Sequence, residues 1–130
     1  MCIFCKIIKG EVPCGKIYED EHVLVFLDIN PISKGHCLVV TKEHYETLLE
    51  IPEDESIYLF KALKKIGKAL MKGLKADGFN IGMNNFSAAG QVVMHAHFHV
   101  IPRFKGDGLK HWPGKKFEEG DYVKEIKRFL

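Results

Sequence analysis

The sequence lacks the features that would direct a protein to a membrane or to nucleic acid. Its longest apolar runs are only a handful of residues, far short of a transmembrane helix. The first residues lack the charged start and the long apolar stretch of a secretion signal. The formal net charge of +2 is too small to indicate a nucleic-acid partner. We therefore expect a cytoplasmic protein that binds neither membranes nor nucleic acid.

Internal repeats, low-complexity tracts and linkers are also missing, which argues against repeat and multidomain architectures. The 130 residues fit one domain and leave little room for a second. With 46% hydrophobic and 28% charged residues, the chain lies in the ordinary globular range and is long enough to bury a core. We expect a single domain over residues 1–130.

Cysteine is scarce, and only one Cys-x-x-Cys pair is present. The four cysteines are Cys2, Cys5, Cys14 and Cys37. Disulfides are disfavoured in a reducing compartment, so Cys2 and Cys5 are interpreted as half of a metal site, a redox pair or two incidental thiols. A closed tetrahedral site needs two more ligands, for which His44 and His95 are the candidates. The two remaining cysteines are taken as non-ligands.

Hydrophobic patterning predicts an α+β fold with a mostly antiparallel sheet. Apolar runs between turn residues predict five strands, at residues 16–19, 22–28, 36–41, 79–84 and 92–101. The second of these is almost continuously apolar, which is typical of a strand buried on both faces. Short helices are predicted at the two ends of the chain, over residues 2–9 and 121–130.

One long helix is predicted between the third and fourth strands. Pro52 opens it, three acidic residues follow where the helix dipole favours negative charge, and Gly78 lies just past its expected end. Apolar residues at three- and four-residue steps form one stripe: Leu59, Leu63, Ile66, Leu70 and Leu74. The stripe fits burial on the helix's own sheet and contact with a second subunit equally well.

Histidine is the residue type that stands out, with seven in the chain and three at alternate positions of the fifth predicted strand. Alternate residues of a strand point the same way, so His95, His97 and His99 should share one face, with imidazoles roughly 7 Å apart. The intervening side chains should point into the core: Ala96, Phe98 and Val100.

Three interpretations of this histidine face are open. It could be a polar strand face exposed to solvent, or a metal site, since His at alternate strand positions is a familiar way to hold zinc. It could also be a site of phosphoryl or nucleotidyl transfer, with one histidine as the nucleophile. A neutral imidazole has a free lone pair, and neighbouring His, Gln and backbone N–H groups can hold phosphate oxygens as charge develops.

The pattern His-φ-His-φ-His-φ-φ, where φ is apolar, is matched without departure by residues 95–101. This segment resembles the signature of the histidine triad (HIT) superfamily. The resemblance extends over nearly the whole chain, through residues 2–8, 18–28, 34–36, 84–91 and 102–103. The N-terminal Cys-x-x-Cys makes the chain similar to the Hint-like prokaryotic branch of that superfamily.

The resemblance implies a fold and an assembly. A HIT fold has a mostly antiparallel five-stranded sheet, one long helix and short flanking helices. Members commonly pair as homodimers through the long helix and a central strand, so that a ten-stranded sheet spans both subunits. We expect this chain to do the same.

The resemblance also implies catalytic roles. His97 matches the nucleophile, whose other ring nitrogen would donate to a main-chain carbonyl. His99 would contact the α-phosphate or its ester oxygen, and Gln91 would approach the leaving group. His36 matches a fourth histidine that supports the triad.

Other positions match the substrate pocket. Asp28 would hold the ribose hydroxyls, although alone it would be interpreted as a turn former at a strand end. Ile29 would cover the base, and Asn84 would contact ribose or phosphate. Gly90, otherwise an ordinary turn glycine, would let the backbone approach phosphate. At Val92 some relatives have a serine that donates to phosphate, so here that contact must come from the backbone or be missing.

For the metal site, the resemblance implies one structural zinc ion held by Cys2, Cys5, His44 and His95. The implied reaction cleaves purine nucleoside 5′-phosphoramidates or related AMP or GMP conjugates through a covalent nucleotidyl-histidine, releasing a nucleoside monophosphate. Two alternatives are kept. Pro102-Arg103 resembles the fragile-histidine-triad branch, which would make the protein a dinucleoside polyphosphate hydrolase. The protein could instead be a nucleotide- or zinc-binding regulator.

Overall fold

The structure, a computed structural model, describes residues 2–118, 120 and 122–130. Its α-helices and β-strands are, in chain order, α1 (Ile3–Ile8), β1 (Lys16–Glu19), β2 (Val23–Leu27), β3 (Cys37–Thr41), α2 (Glu53–Gly73), β4 (Gly78–Gly82), β5 (His97–Arg103) and α3 (Tyr122–Lys127). Two short 3-10 helices lie at Leu48–Glu50 and Ser87–Ala89. The strands form one antiparallel sheet in the order β1-β2-β3-β5-β4. The predicted α+β class and five-stranded antiparallel sheet are confirmed.

The two faces of this sheet have different partners, because alternate residues of a strand point to opposite sides. Val25 and Val39 belong to the main core, which lies between the sheet and α2. Phe26 and Leu38 belong to a second apolar cluster on the other face, together with Phe4 of α1. All residues of β3 are buried, since both of its faces are covered.

The long helix α2 packs its apolar stripe on its own sheet. Four residues of the predicted stripe are buried in the main core: Leu59, Leu63, Ile66 and Leu70. The fifth, Leu74, follows the helix and is 37% exposed. The helix ends at Gly73, and Lys75 adopts the left-handed conformation, with φ of 55°, in the turn that follows. Gly78 is therefore not the helix stop that we predicted but the first residue of β4.

Strand β5 begins later than predicted. Residues 92–96 lie outside the strand, so His95 precedes it. The backbone N–H of Ala96 donates to the Tyr45 carbonyl at 2.7 Å. The segment before β5 is thus held by the loop that follows β3 and not by a neighbouring strand.

The remaining predicted bounds differ by a few residues. Strands β2 and β3 each begin one residue after the predicted start, and β4 ends at Gly82, two residues before its predicted end. The predicted C-terminal helix is present as α3, while Asp121, where we expected it to begin, lies outside the described residues. Among the described helices, none is long and apolar enough to cross a membrane.

Candidate active site and metal centre

The three histidines lie on the sheet face opposite α2. On β5, His97 and His99 pair with residues of β3 that belong to the second apolar cluster. The ring of His95 contacts Phe4 on the same side, with ring centroids 5.9 Å apart. The rings of His97 and His99 have centroids 5.1 Å apart, closer than the roughly 7 Å that strand geometry predicts. The intervening side chains belong to the main core, as expected: Ala96, Phe98 and Val100.

A main-chain carbonyl determines which nitrogen of His97 is free. Its Nδ1 lies 2.6 Å from the His95 carbonyl oxygen. Because a carbonyl can only accept, Nδ1 must carry the proton, and the lone pair of the neutral ring is then on Nε2. This is the main-chain contact that we expected for His97. The ring lines an open cleft although it is only 7% exposed.

A backbone N–H has the opposite effect on His36. The Ile32 N–H donates to His36 Nδ1 at 3.0 Å, so the proton of the neutral imidazole is on Nε2. That Nε2–H lies 2.9 Å from Nδ1 of His99, which therefore accepts. The proton of His99 is then on its own Nε2. We expected His36 to support the triad, and this chain of two hydrogen bonds is the contact by which it could do so.

Both imidazoles of this chain are neutral near pH 7. Burial lowers the pKa of His36, and the nearby Asp28 carboxylate offsets this only in part. Burial also lowers the pKa of His99 to about 4, and the nearby His97 and His36 imidazoles lower it further. In the neutral state each ring has one donor and one acceptor, as the two hydrogen bonds require.

The Asp28, His36 and His99 side chains form a hydrogen-bonded cluster and not a second metal site. The carboxylate Oδ2 of Asp28 lies 3.4 Å from His36 Nε2 and 3.8 Å from His99 Nδ1, so the three potential ligand atoms are close together. However, a metal on His36 Nε2 would displace its proton to Nδ1. The Ile32 N–H already occupies Nδ1, which excludes that tautomer.

The cleft beside His97 and His99 has a volume of about 460 Å³. It brings together both histidines and five further residues predicted for substrate binding: Asp28, Ile29, Asn84, Gly90 and Val92. Its remaining wall is mostly apolar and was not predicted. That wall is formed by Ile3, Phe4, Ile7, Pro13, Cys14, Phe26, Leu27, Asn30, Leu38 and Val93.

The apolar wall has a partial signal in the sequence. Phe26 and Leu38 are on the strand face away from α2, and an amphipathic reading of these strands assigns them to a second apolar surface. Phe4 comes from α1, and its ring meets that of His97 edge-on at 5.1 Å. No local pattern indicates where such a short helix docks.

Polar residues and a glycine shape the rim of the cleft. Asp28 Oδ1 accepts from the Asn30 N–H at 2.8 Å. Asp28 therefore forms the turn at the strand end that its position alone suggested. Asn84 Nδ2 donates to the Gly90 carbonyl at 3.3 Å. Gly90 has φ of 94°, and a Cβ there would lie 3.2 Å from Asn84 Nδ2, so this position favours glycine. Val92 is 91% exposed.

Gln91 is not brought into the cleft. Its side chain is buried, and its Nε2 donates to the carbonyls of Glu46 at 2.6 Å and Val93 at 3.1 Å. Its Oε1 accepts from the Phe86 N–H at 2.7 Å. Both N–H groups of the amide are used by backbone carbonyls, so the predicted approach to a leaving group is not supported.

Cys2, Cys5, His44 and His95 converge at the other end of the histidine face and could hold a metal ion. Distances between their Sγ and Nδ1 atoms range from 3.0 to 3.7 Å. Tetrahedral coordination at about 2.3 Å to sulfur and about 2.0 Å to nitrogen separates ligand atoms by about 3.3–3.8 Å. The donor set fits such a site, with only the sulfur–sulfur distance of 3.0 Å clearly shorter.

The surroundings of the cluster direct its ligand atoms inward. His95 Nε2 donates to the Thr41 carbonyl at 2.6 Å, which leaves the Nδ1 lone pair for a metal. The backbone N–H of Cys5 donates to Cys2 Sγ at 3.2 Å, which helps to fix the position of that sulfur. A bound metal would connect α1, which carries Phe4, to the loop of His44 and to the start of β5.

Comparison with known proteins agrees with this architecture. A family model described as the HIT domain matches residues 9–106. The chain is 54% identical over 129 residues to an uncharacterized HIT-like protein of Methanocaldococcus jannaschii, covering 98% of this chain and 99% of that protein. It is 43% identical over 102 residues to adenosine 5′-monophosphoramidase hnt1 of Schizosaccharomyces pombe, covering 78% and 74%. It is 47% identical over 108 residues to adenylylsulfatase HINT3 of Arabidopsis thaliana, covering 83% and 55%.

Solved structures give the same result. A HIT family protein from Bacillus subtilis superimposes with a TM-score of 0.87 at 42% identity, covering 98% of this chain and 93% of that one. A zinc-bound histidine triad family protein from Mycobacterium smegmatis superimposes with a TM-score of 0.80 at 43% identity, covering 84% and 79%. The expected fold is confirmed.

The metal cluster predicts about one tightly bound metal ion per chain, measured by elemental analysis after dialysis of protein from metal-supplemented cells. Cys2→Ser should remove it and lower the unfolding temperature, because α1 then loses its connection to His44 and His95. Cys14→Ser, outside the cluster, is the matched control. Less than about a third of an equivalent in the unchanged protein would count against the site.

The lowered pKa of His99 predicts acid sensitivity of the fold. Between pH 6.5 and about 4 an unfolded His99 binds a proton and the folded one does not, so stability falls as pH decreases through this range. Between pH 7 and pH 4.5, the free energy of unfolding of the unchanged protein should decrease by about 2 kcal/mol more than that of His99→Asn. Metal loss affects both proteins and cancels in this difference. Equal decreases would contradict the assignment.

Proposed function

This chain belongs to the HIT domain family, and on that basis we propose that it is a nucleotide hydrolase acting on purine nucleoside 5′-phosphoramidates or related adenylated compounds. The observation that carries this proposal is the pair of Nε2 atoms in the cleft. His97 has an unprotonated Nε2 and His99 a protonated one. Two similar proteins are named adenosine 5′-monophosphoramidase and adenylylsulfatase, which supports substrates of this class.

The proposed first step is attack of His97 Nε2 on the α-phosphorus. The new N–P bond forms as the bond to the leaving group breaks, and the leaving group takes a proton from water while His99 Nε2–H donates a hydrogen bond to it. The product imidazole is cationic, since Nδ1 keeps its proton. The His95 carbonyl, 2.6 Å from Nδ1, stabilises that charge.

In the proposed second step, water attacks phosphorus and the N–P bond breaks. The lone pair returns to His97 Nε2, a nucleoside monophosphate leaves, and the proton of the attacking water passes to solvent. Division of one difficult displacement into two easier ones is the general advantage of nucleophilic catalysis.

The cleft offers a place for each part of the nucleotide. We propose that the apolar wall around Phe4 and Leu38 receives the base and that Ile29, 96% exposed at the rim, covers it. Asp28 keeps free lone pairs for the ribose hydroxyls. Asn84 and the backbone near Gly90 contact ribose and phosphate, since Val92 has no hydroxyl to donate.

We propose zinc as the metal, with a structural role. Two thiolates and two imidazoles in tetrahedral arrangement are ligands that zinc prefers, and the M. smegmatis relative is zinc-bound. With all four positions filled by protein, such a site has no open position for water. The metal would act on catalysis only through the placement of α1 and β5.

We also propose a homodimer. Strand β4 is at one edge of the sheet and can pair with its copy to give ten strands. Next to it, α2 exposes Ile57 at 55% and Phe60 at 62%. The helix is acidic in its first turn and lysine-rich toward its end, so two antiparallel copies would be complementary in charge.

The contacts of the described residues favour the proposed hydrolase over the two alternative functions. The dinucleoside polyphosphate alternative was based on the resemblance carried by Pro102-Arg103, and the Arg103 guanidinium binds Asp107, Asn80 and the Leu109 carbonyl outside the cleft. A purely regulatory role would not require the complementary donor and acceptor that His97 and His99 provide.

His97→Ala should lower turnover of adenosine 5′-phosphoramidate by about a thousandfold or more while the circular dichroism spectrum is unchanged, because the nucleophile is lost. His111→Ala, at an exposed histidine outside the cleft, is the matched control. Metal-free protein that is still folded should keep substantial turnover. Retention of more than about a tenth of activity in His97→Ala, or complete inactivation of folded apo-protein reversed by zinc, would contradict the mechanism.

A further inference from the structure

Phe86 has a backbone conformation that side chains disfavour. Its φ of 70° and ψ of 158° fall in a region that is essentially restricted to glycine. Its ring is 52% exposed, so burial of the ring does not compensate for the strain. Such a conformation persists only when the surroundings hold it.

The Gln91 side chain makes the contact that holds it. Oε1 of Gln91 accepts the Phe86 N–H at 2.7 Å, and Nε2 donates to the Glu46 and Val93 carbonyls at 2.6 and 3.1 Å. Gln91 is only 5% exposed, so water does not compete strongly for these bonds. Its backbone N–H also donates to the Phe86 carbonyl, at 3.2 Å. Gln91 thus contacts both polar groups of Phe86, and the Ala89 N–H shares the Phe86 carbonyl at 3.1 Å.

The segment closed by these bonds forms one rim of the cleft. Asn84 precedes Phe86, and Gly90 and Val92 follow it, and all three line the cleft. The Asn84 side chain bonds to the Gly90 carbonyl across the loop. A change of direction at Phe86 would therefore move Asn84 and Gly90 relative to the rest of the cleft.

The other end of the Gln91 amide is attached to the loop after β3. Glu46 lies in that loop, two residues after His44. The same two loops are joined again where Asn85 Oδ1 accepts from the Leu48 N–H at 2.8 Å. Gln91 thereby fixes the rim of the cleft relative to the loop that also carries His44.

We propose that Gln91 is a positioning residue, which imposes the strained Phe86 turn and so places the Asn84 and Gly90 rim for the nucleotide phosphate. The expected effect on nucleotide binding rests on the proposed function, whereas the hydrogen bonds by which Gln91 holds Phe86 do not. The chemistry requires an amide, because one atom must accept from Phe86 while the other donates to two carbonyls. In Gln91→Glu, a carboxylate oxygen would face the Glu46 and Val93 carbonyls and repel them.

The first measurement is hydrogen exchange of the Phe86 amide, which requires no ligand. In Gln91→Ala and Gln91→Glu this amide should lose protection relative to the unchanged protein, whereas Ser87→Ala, an exposed change in the same loop, should leave it protected. If the Phe86 amide stays protected in both Gln91 variants, and circular dichroism shows that they are folded, the proposal that Gln91 holds Phe86 is overturned.

The second measurement is the affinity for AMP by calorimetry, together with KM and kcat for adenosine 5′-phosphoramidate. Gln91→Ala should weaken AMP binding and raise KM by about tenfold, with a smaller change in kcat. Phe86→Gly alone should stay within about threefold of the unchanged protein, since glycine adopts this conformation without strain. The double variant Phe86→Gly/Gln91→Ala should recover AMP affinity to within about threefold.

Recovery of AMP affinity by Phe86→Gly distinguishes a positioning role of Gln91 from direct contact with the substrate and from general destabilisation of the protein. If Gln91 touched the leaving group, kcat would fall and glycine at position 86 would restore nothing. Losses that simply add in the double variant would likewise overturn the proposal. If the unchanged protein neither binds AMP nor turns over the phosphoramidate, the proposed function fails, while the exchange result still decides whether Gln91 holds Phe86.

Discussion

The site depends on one constraint on four histidines: His36, His95, His97 and His99. One ring nitrogen of each is hydrogen-bonded to the main chain or, for His99, to His36, which is itself bonded to the main chain. The Thr41 carbonyl takes Nε2–H of His95, and the His95 carbonyl takes Nδ1–H of His97. The Ile32 N–H occupies Nδ1 of His36, and this sets the proton of His99 through their shared bond. Because a neutral imidazole has one donor and one acceptor, the free nitrogen of each ring then has only one possible role.

This constraint explains how similar side chains on one sheet face serve different purposes. His95 has its free lone pair on Nδ1, beside the two cysteines, whereas His97 has it on Nε2, in the cleft. The two residues are neighbours on the same face, yet the metal cluster and the cleft use separate atoms. The opposite face of the sheet is occupied by α2 and contributes only packing.

Much of this could be predicted from the sequence where a local period carries the information. Alternation placed His97 and His99 together, and the three- and four-residue steps of Leu59 to Leu70 indicated the buried stripe of α2. The resemblance to HIT proteins supplied the metal cluster. Prediction failed where a contact joins segments that are distant in sequence, and where a residue adopts a backbone conformation that its type disfavours. The Gln91 amide binds a carbonyl 45 positions away, and glycine-like conformation at Phe86 and left-handed conformation at Lys75 cannot be inferred from those side chains.

The central claim is that His97 acts through Nε2 because Nδ1 is bound to the His95 carbonyl. The most direct test is rapid quenching of the protein with adenosine 5′-phosphoramidate, followed by digestion and identification of the modified ring nitrogen by NMR. We predict an acid-labile nucleotidyl adduct on Nε2 of His97 that is absent from His97→Ala. An adduct on Nδ1 or on another histidine, or fast turnover with no adduct at all, would contradict the account.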